Sequence, residues 1–239
     1  GRMEEPEAIY KSLSEFLNES LPLKGIKALV SAGPTYEAID PVRFIGNRST
    51  GTMGFKIADE LSRQGAKVTL VAGPSSATSV QKAVTRINVE SASEMLDACL
   101  KFAPDSNLII MSAAVADYRP ENISETKIKK GDGIPQIPLT ATKDILTELG
   151  SKKKPGQILV GFALETNNEL DNAKAKLKNK NLDLIVLNSL QDEGAGFGTD
   201  TNKISIIDKD GSVTPYATKP KKEVAEDIVA FIISRINKS

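Results

Sequence analysis

Short apolar runs alternate with amphipathic stretches along most of this chain. Lys27–Ala32 (KALVSA), Lys67–Ala72 (KVTLVA) and Leu108–Met111 (LIIM) are brief, apolar and closed by Gly-Pro or Ser, as buried strands are. Arg86–Val89 reads as a further short strand. Between them a helix is predicted over about 52–64, with Gly65 placed to cap its C-terminus. Ser91-Ala92-Ser93-Glu94 forms a capping box ahead of a helix through Phe102. The rhythm returns downstream as helix Asp144–Leu149, strand Gln157–Phe162, helix Asn168–Lys178 and strand Leu182–Leu187. This βαβαβ order predicts an α/β, Rossmann-like fold, a mostly parallel sheet with helices on both faces.

Three stretches break the rhythm. Residues 1–25 form a lead-in, with Ile9, Leu13, Phe16, Leu17 and Leu21 at helical spacing over Glu7–Leu21. Asp117–Pro138 is polar, rich in lysine and interrupted by Pro120, Pro135 and Pro138, so a long surface excursion of the kind that serves as a lid is predicted there. Near the end, Lys203–Ile207 and Val213–Ala217 flank Asp208-Lys209-Asp210-Gly211, an antiparallel C-terminal hairpin signal. A helix over about Lys221 to Ile236 closes the chain. With no internal repeat and no break after residue 25, one domain over 26–239 behind the 1–25 lead-in is expected. The chain opens with Gly1-Arg2 rather than methionine, as expected of a fragment of a longer protein or a tag-trimmed product.

Composition narrows the chemistry more than the fold. Apolar residues make up 40% and charged ones 26%, which places the chain among ordinary soluble globular proteins. Lysine plus arginine equal aspartate plus glutamate at 31 each, which argues against a nucleic-acid partner. No stretch resembles a membrane span or a signal peptide, so a cytoplasmic protein is expected. Cys99 is the sole cysteine, which excludes an internal disulfide; it is read as a small core residue. Histidine is absent, so there is no Ser-His-Asp triad, no Cys-His pair and no histidine-bound metal. What remains is lysine, arginine, carboxylates, amides, backbone donors and oxygen-bound Mg2+, parts suited to phosphoryl and nucleotidyl transfer.

Four segments carry those parts. Asp40–Gly54 (DPVRFIGNRSTGTMG) connects a predicted strand to a predicted helix. Its glycines at 46, 51 and 54 let backbone approach a ligand, and the helix start offers N–H groups to an anion. It matches neither the dinucleotide fingerprint nor the P-loop pattern. The alternative is a tight connection whose glycines serve packing. Ser112–Asp117 follows a strand at its carboxyl end, where open α/β sheets bind ligands. There Asp117 either meets a hydroxyl, an amine or a hydrated Mg2+, or simply caps. Lys127-Ile128-Lys129-Lys130 on the excursion either closes over a triphosphate or is a solvated loop. Lys176 and Lys180, four residues apart among Lys174, Lys176, Lys178 and Lys180, share a helix face that reaches a phosphate or lies in water.

Taken in order, AGPTYEAIDPVRFIGNRSTGTMG (Ala32–Gly54), AAVADYRP (Ala113–Pro120), KIKK (127–130), GFALET (Gly161–Thr166) and KNLDLIVLN (Lys180–Asn188) resemble the phosphopantothenate–cysteine ligases, the phosphopantothenoylcysteine synthetases of coenzyme A biosynthesis. The opening GRMEEPEAI is similar to the junction that follows the decarboxylase half of bacterial bifunctional members. The resemblance implies that the carboxylate of 4′-phosphopantothenate attacks the α-phosphorus of CTP, giving an acyl-cytidylate and pyrophosphate. L-Cysteine then attacks through its amine and CMP leaves. It implies Mg2+ with CTP as co-substrate, a fused decarboxylase domain that alone uses FMN, and a homodimer for which the Lys203–Ala217 hairpin is a candidate surface. Carried over by position, Asn47 and Lys127 are catalytic, and Arg43, Asn47 and Ala114 bind phosphopantothenate. Met111, Ser112, Ala113, Asp117, Lys127, Thr142, Lys143, Asp144, Ile145, Phe162, Lys176 and Lys180 bind CTP. Two positions depart from the family pattern. Thr142-Lys143-Asp144-Ile145 stands for Asn-Pro-Asp-Ile, which bears on CTP over ATP, and Thr52 stands for a lysine. The rhythm alone also admits a Rossmann-type oxidoreductase or a non-catalytic nucleotide-binding domain.

Overall fold

The structure is a computed structural model that describes residues 3–19, 21–81, 83–129, 136–165, 168–189 and 200–237. Gly1-Arg2, Lys130, Thr166, the centre of the excursion (130–135) and the side chains of Phe16 and Leu17 lie outside the described residues. Helix α1 (Pro6–Glu19) leads to β1 (Lys27–Ala32), then to β2 (Tyr36–Ala38), β3 (Phe44–Gly46) and α2 (Thr52–Arg63). Next come β4 (Lys67–Ala72), β5 (Thr85–Asn88), α3 (Ala92–Phe102), β6 (Leu108–Met111), β7 (Tyr118–Pro120) and β8 (Leu139–Ala141). They are followed by α4 (Ile145–Ser151), β9 (Ile158–Glu165), α5 (Glu169–Asn179) and β10 (Leu184–Ser189). The last elements are β11 (Thr201–Asn202), β12 (Ile204–Asp208), β13 (Val213–Pro215), β14 (Lys219–Pro220) and α6 (Lys221–Ile236).

Eight strands form one sheet in the order β13-β12-β10-β9-β6-β1-β4-β5. From β10 to β5 every neighbour is parallel, and β12 and β13 add an antiparallel edge. Alternate residues of β1 enter opposite layers, as the period of two in a strand requires. Ala28, Val30 and Ala32 pack with Phe55 and Leu61 of α2 and Val224 and Ile228 of α6. Leu29 packs with Met95 and Cys99 of α3, Leu149 of α4 and Leu177 of α5. Burial on both faces is why these strands read as continuous apolar runs rather than as alternating ones. Cys99 is fully buried, and burial pushes its thiol pKa up to about 12, so it is a packing residue.

The chain runs outward from β1 through β4 to β5, then returns to the other flank of β1 with β6. Between β1 and β6 the winding reverses. A crevice opens at the carboxyl ends of such a pair, and that is where this fold positions ligands.

The structure departs from the sequence expectations at short elements. The pairs β2–β3, β7–β8 and β11–β14 were not predicted; strands of two or three residues carry no readable period. The Asp117–Pro138 excursion is not structureless, because Tyr118 to Pro120 pairs with Leu139 to Ala141 as a stem. Ser91 caps α3 by accepting from the Glu94 amide, but the Glu94 carboxylate accepts from the Glu90 amide at 2.7 Å, one residue before the usual box partner. The stripe on α1 is helical, yet Ile9 and Leu13 are 39% and 54% exposed and do not join the core.

Candidate functional site

Polar side chains stitch the strand ends together around the crevice. The Ser112 hydroxyl donates to the Ser31 carbonyl at 2.8 Å, and the Ala113 amide donates to the Ser31 hydroxyl at 3.2 Å. Beyond β1 and β6 the pairing continues: the Ala114 amide donates to the Gly33 carbonyl at 2.9 Å, and the Thr35 amide to the Ala114 carbonyl at 3.3 Å. The buried Thr35 hydroxyl then accepts from the Ala116 amide at 2.9 Å. Residues 112–116 are thereby held along the mouth, with only small side chains at 112–114.

Asn47 reaches this edge from the β2–β3 hairpin. Its Nδ2 donates to the carbonyls of Ala114 and Val115 at 3.1 and 2.9 Å, which uses both amide hydrogens. Only Oδ1, an acceptor, is then left for a substrate in this arrangement. The hairpin itself is fixed by stacked Tyr36 and Phe44 rings, 3.8 Å between centroids, and by the turn around Asp40-Pro41. The Asp40-Pro41 step, which favours a turn, is the local signal that could have pointed to this hairpin.

The glycines in this turn serve packing more than the sequence reading supposed. A Cβ on Gly51, whose φ is +77°, would lie 2.9 Å from Gly33 backbone atoms. One on Gly54 would lie 2.6 Å from both the Ala32 Cβ and the Ser112 Oγ. Close approach here is of protein to protein, and it brings the start of α2 down onto the ends of β1 and β6.

Arg43 and Lys127 are placed apart from the crevice lining. The buried Asp40 carboxylate accepts from the Val42 and Arg43 amides at 2.8 and 2.9 Å, from Arg43 Nε at 2.9 Å and from the Ile128 amide at 3.1 Å. It also forms an ion pair with Arg43 Nη2, which in turn donates to the Ile128 carbonyl at 2.7 Å. Arg43 foremost holds the Asp40 carboxyl well below the usual carboxylate range, against its burial, with the amides of Val42, Ile128 and Arg43 adding to the effect. Both backbone polar groups of Ile128 are thus gripped by the turn, and Ser124 adds an amide bond to the Ile39 carbonyl at 3.0 Å. Lys127 is exposed on this pinned segment.

A cavity of about 600 Å3 occupies the crevice. Asn47, Met111, Ala113, Ala114 and Asp117 line it, together with Thr142, Lys143, Asp144, Ile145, Phe162, Lys176 and Lys180. Lys176 Nζ donates to the Phe162 carbonyl at 2.8 Å, and Lys180 forms an ion pair with Asp144. Burial works against the Asp144 carboxylate, but Lys180 and the Thr147 amide outweigh it and keep its pKa below the ordinary value. Lys176 and Lys180 are half-buried, whereas Lys174 and Lys178 are exposed, so one helix carries a site face and a wet face. The Thr142 hydroxyl donates to the Ala116 carbonyl at 2.6 Å and its amide to the Asp117 carbonyl at 2.9 Å. Thr142 therefore shapes the wall through its own bonds. Ser112 lines a second, smaller cavity beside the 49–54 turn, together with Asn188, Asn202 and Lys221, which the sequence reading did not single out. Among the described residues no group of three or more acidic or cysteine side chains is placed to hold a metal, and no helix is long and apolar enough to cross a membrane.

Comparison with known proteins adds a family. Residues 23–236 match the model for the DNA/pantothenate metabolism flavoprotein C-terminal domain. Over 99% of its length the chain is 47% identical to a cysteine/cysteine sulfinic acid decarboxylase from an unknown prokaryotic organism. It is 45% identical over its whole length to the coenzyme A biosynthesis bifunctional protein CoaBC of Haemophilus influenzae. It spans 67% and 59% of those two proteins, so each is longer than the matched part. The crystal structure of the C-terminal domain of a CoaBC protein superimposes with a TM-score of 0.79 at 38% identity, covering 92% of this chain and all of that one.

Proposed function

The chain belongs to the DNA/pantothenate metabolism flavoprotein C-terminal domain family, and from that premise we propose that it is a ligase of coenzyme A biosynthesis, joining 4′-phosphopantothenate to L-cysteine at the expense of CTP. One observation carries the reading. Side chains from segments more than a hundred residues apart, Asn47 to Lys180, converge on a single cavity at the switch point. About 600 Å3 lies within the range of sites that bury a ligand the size of a nucleotide. The decarboxylase name of one relative does not compete with this, since that protein extends beyond the matched part.

A carboxylate is a poor electrophile because its carbon carries two electron-rich oxygens and no leaving group. In the first step one carboxylate oxygen bonds the α-phosphorus of CTP while the bond to the β-phosphate breaks and pyrophosphate departs. In the second the cysteine nitrogen bonds the acyl carbon, the acyl carbon–oxygen bond breaks, CMP leaves with the electron pair and a proton from nitrogen passes to water. Positioning and charge neutralisation supply most of the catalysis in such chemistry. Lys176 and Lys180 place positive charge against the nucleotide, Phe162 offers an apolar surface to its base, and the small side chains at 112–114 leave room for the acid beside Asn47. Mg2+ binds proteins through few carboxylates plus substrate phosphates. Asp117 fits that role, since Asp144 is already paired with Lys180. The ion would screen phosphate charge.

The test is pyrophosphate release. With Mg2+, release that requires phosphopantothenate and CTP together supports the reading; none from folded protein overturns it. ATP in place of CTP reports what Thr142-Lys143 does to base choice.

A further inference from the structure

One polar side chain in the central strand is not explained by packing. Ser31, near the end of β1, is 2% exposed and shares the face of Leu29, since residues two apart in a strand point the same way. It pairs with Met111 of β6, and both line the large cavity. The Ser31 carbonyl accepts the Ser112 hydroxyl, and the Ser31 hydroxyl oxygen accepts the Ala113 amide at 3.2 Å. A hydroxyl also has one hydrogen to donate, and that of Ser31 meets no acceptor among the described residues. A buried donor left unused costs stability, so its retention asks for a reason.

The surroundings of that hydroxyl narrow what it can meet. Met111, Ile145 and Leu146 line the same cavity from the layer of Leu29, and all three are buried. Gly161, beside Met111 on β9, leaves its space to Leu146: a Cβ there would lie 2.9 Å from Leu146 Cδ2. Ser31 is therefore a single neutral donor beside an apolar floor. The cations of the cavity are engaged elsewhere, Lys176 with the Phe162 carbonyl and Lys180 with Asp144. An uncharged planar ring bearing a carbonyl oxygen and a ring nitrogen is the part of a nucleotide that suits both features.

Resting on the ligation reading above, we propose that Ser31 touches the nucleotide, its hydroxyl donating to O2 or N3 on the edge of the pyrimidine base while its oxygen keeps the Ala113 amide in place. One side chain then fixes the base and the strand edge against each other. A phosphate or carboxylate oxygen is the other acceptor the reaction brings. Either would set a full negative charge against Met111, Ile145 and Leu146, where burial penalises it.

Ser31→Ala removes the donor together with the acceptor for Ala113, so the test compares the base with the phosphates. The KM for CTP is expected to rise about five- to tenfold, as for a lost neutral hydrogen bond, and inhibition by cytidine to weaken by the same factor. Inhibition by inorganic tripolyphosphate and the KM for phosphopantothenate should stay within twofold. A role confined to holding the Ala113 edge would weaken all of them together, and that result overturns the proposal. An unchanged KM for CTP overturns it equally. Ser31→Cys, similar in size but a weak donor, carries the same comparison should Ser31→Ala not fold. If wild type releases no pyrophosphate, the ligation reading fails separately. Calorimetry with cytidine and with tripolyphosphate then decides the contact: weakened binding of cytidine alone in Ser31→Ala supports it, and any other pattern overturns it.

Discussion

The strands between the helix layers and the loops at their carboxyl ends are built by opposite rules. In the sheet, side-chain position follows from burial: Val30, Leu70 and Ile110 stand side by side on paired strands, in one layer where only packing holds their side chains. At the mouth, position follows from side chains that bond distant backbone. Asp40 grips Ile128, Thr35 grips Ala116, Asn47 grips Ala114 and Val115, and Thr142 grips Ala116. Apolar burial is non-directional and tolerates many sequences, whereas each of these bonds has one donor and one acceptor. The difference teaches that stability and activity are separable here, with stability concentrated below the ends of β1 and β6 and chemistry above.

The strongest way to break that division is to damage the core alone. Phe55 is 1% exposed between α2 and the sheet, and Phe55→Ala is expected to cost about 3–5 kcal/mol in urea unfolding. The fraction that stays folded keeps its turnover per site. Asn47→Ala inverts the pattern. Turnover is expected to fall about tenfold or more, roughly 1.4 kcal/mol of barrier, with acyl-cytidylate accumulating, because the Ala114–Val115 edge loses the amide that positions it. Its unfolding midpoint should hardly move, since the two freed carbonyls can turn to water. Equal losses of stability and activity in either variant would merge the two regions.

Asp40→Asn sharpens the comparison within the loops. Hydrogen exchange at the Ile128 and Val42 amides should accelerate several-fold, and trypsin should cut after Lys127 or Lys129 faster, with the β1 and β6 amides unchanged. The pH dependence has a definite sign. Because the folded Asp40 pKa is depressed, its contribution is fully present above the unfolded value of about 3.9 and fades only as pH falls toward the folded one. Protection of the Ile128 amide that vanished above pH 5 would contradict this. The smallest effect belongs to Lys174→Ala, on the wet face of α5, where stability should stay within about 0.5 kcal/mol and the KM for CTP should not change. Lys176→Ala, two residues on, should raise that KM.

What the sequence made legible follows the same division. β1, β4 and β6 match their predicted limits because apolar runs bounded by Gly-Pro or Ser have one reading. The residues around the large cavity were legible as motifs, by resemblance, rather than from periodicity. Lys176 and Lys180 were the exception, their spacing of four putting one on α5 and the other, on the same side, at its C-terminal cap. The β2–β3 hairpin and the β7–β8 stem were missed because three-residue strands have no period, and their stability comes from Tyr36–Phe44 stacking and the Asp40 bonds. Asn188, Asn202 and Lys221 were missed for another reason. They enter the smaller cavity from three separate elements, and no local spacing relates them.

The central claim is that the acid is activated through one of its own oxygens. Phosphopantothenate labelled with 18O in its carboxylate tests this directly, followed by mass spectrometry of the CMP formed during turnover with CTP and L-cysteine. Transfer of one labelled oxygen into each CMP, with the other retained in the new amide, is the predicted result. Unlabelled CMP alongside normal amide formation would contradict it.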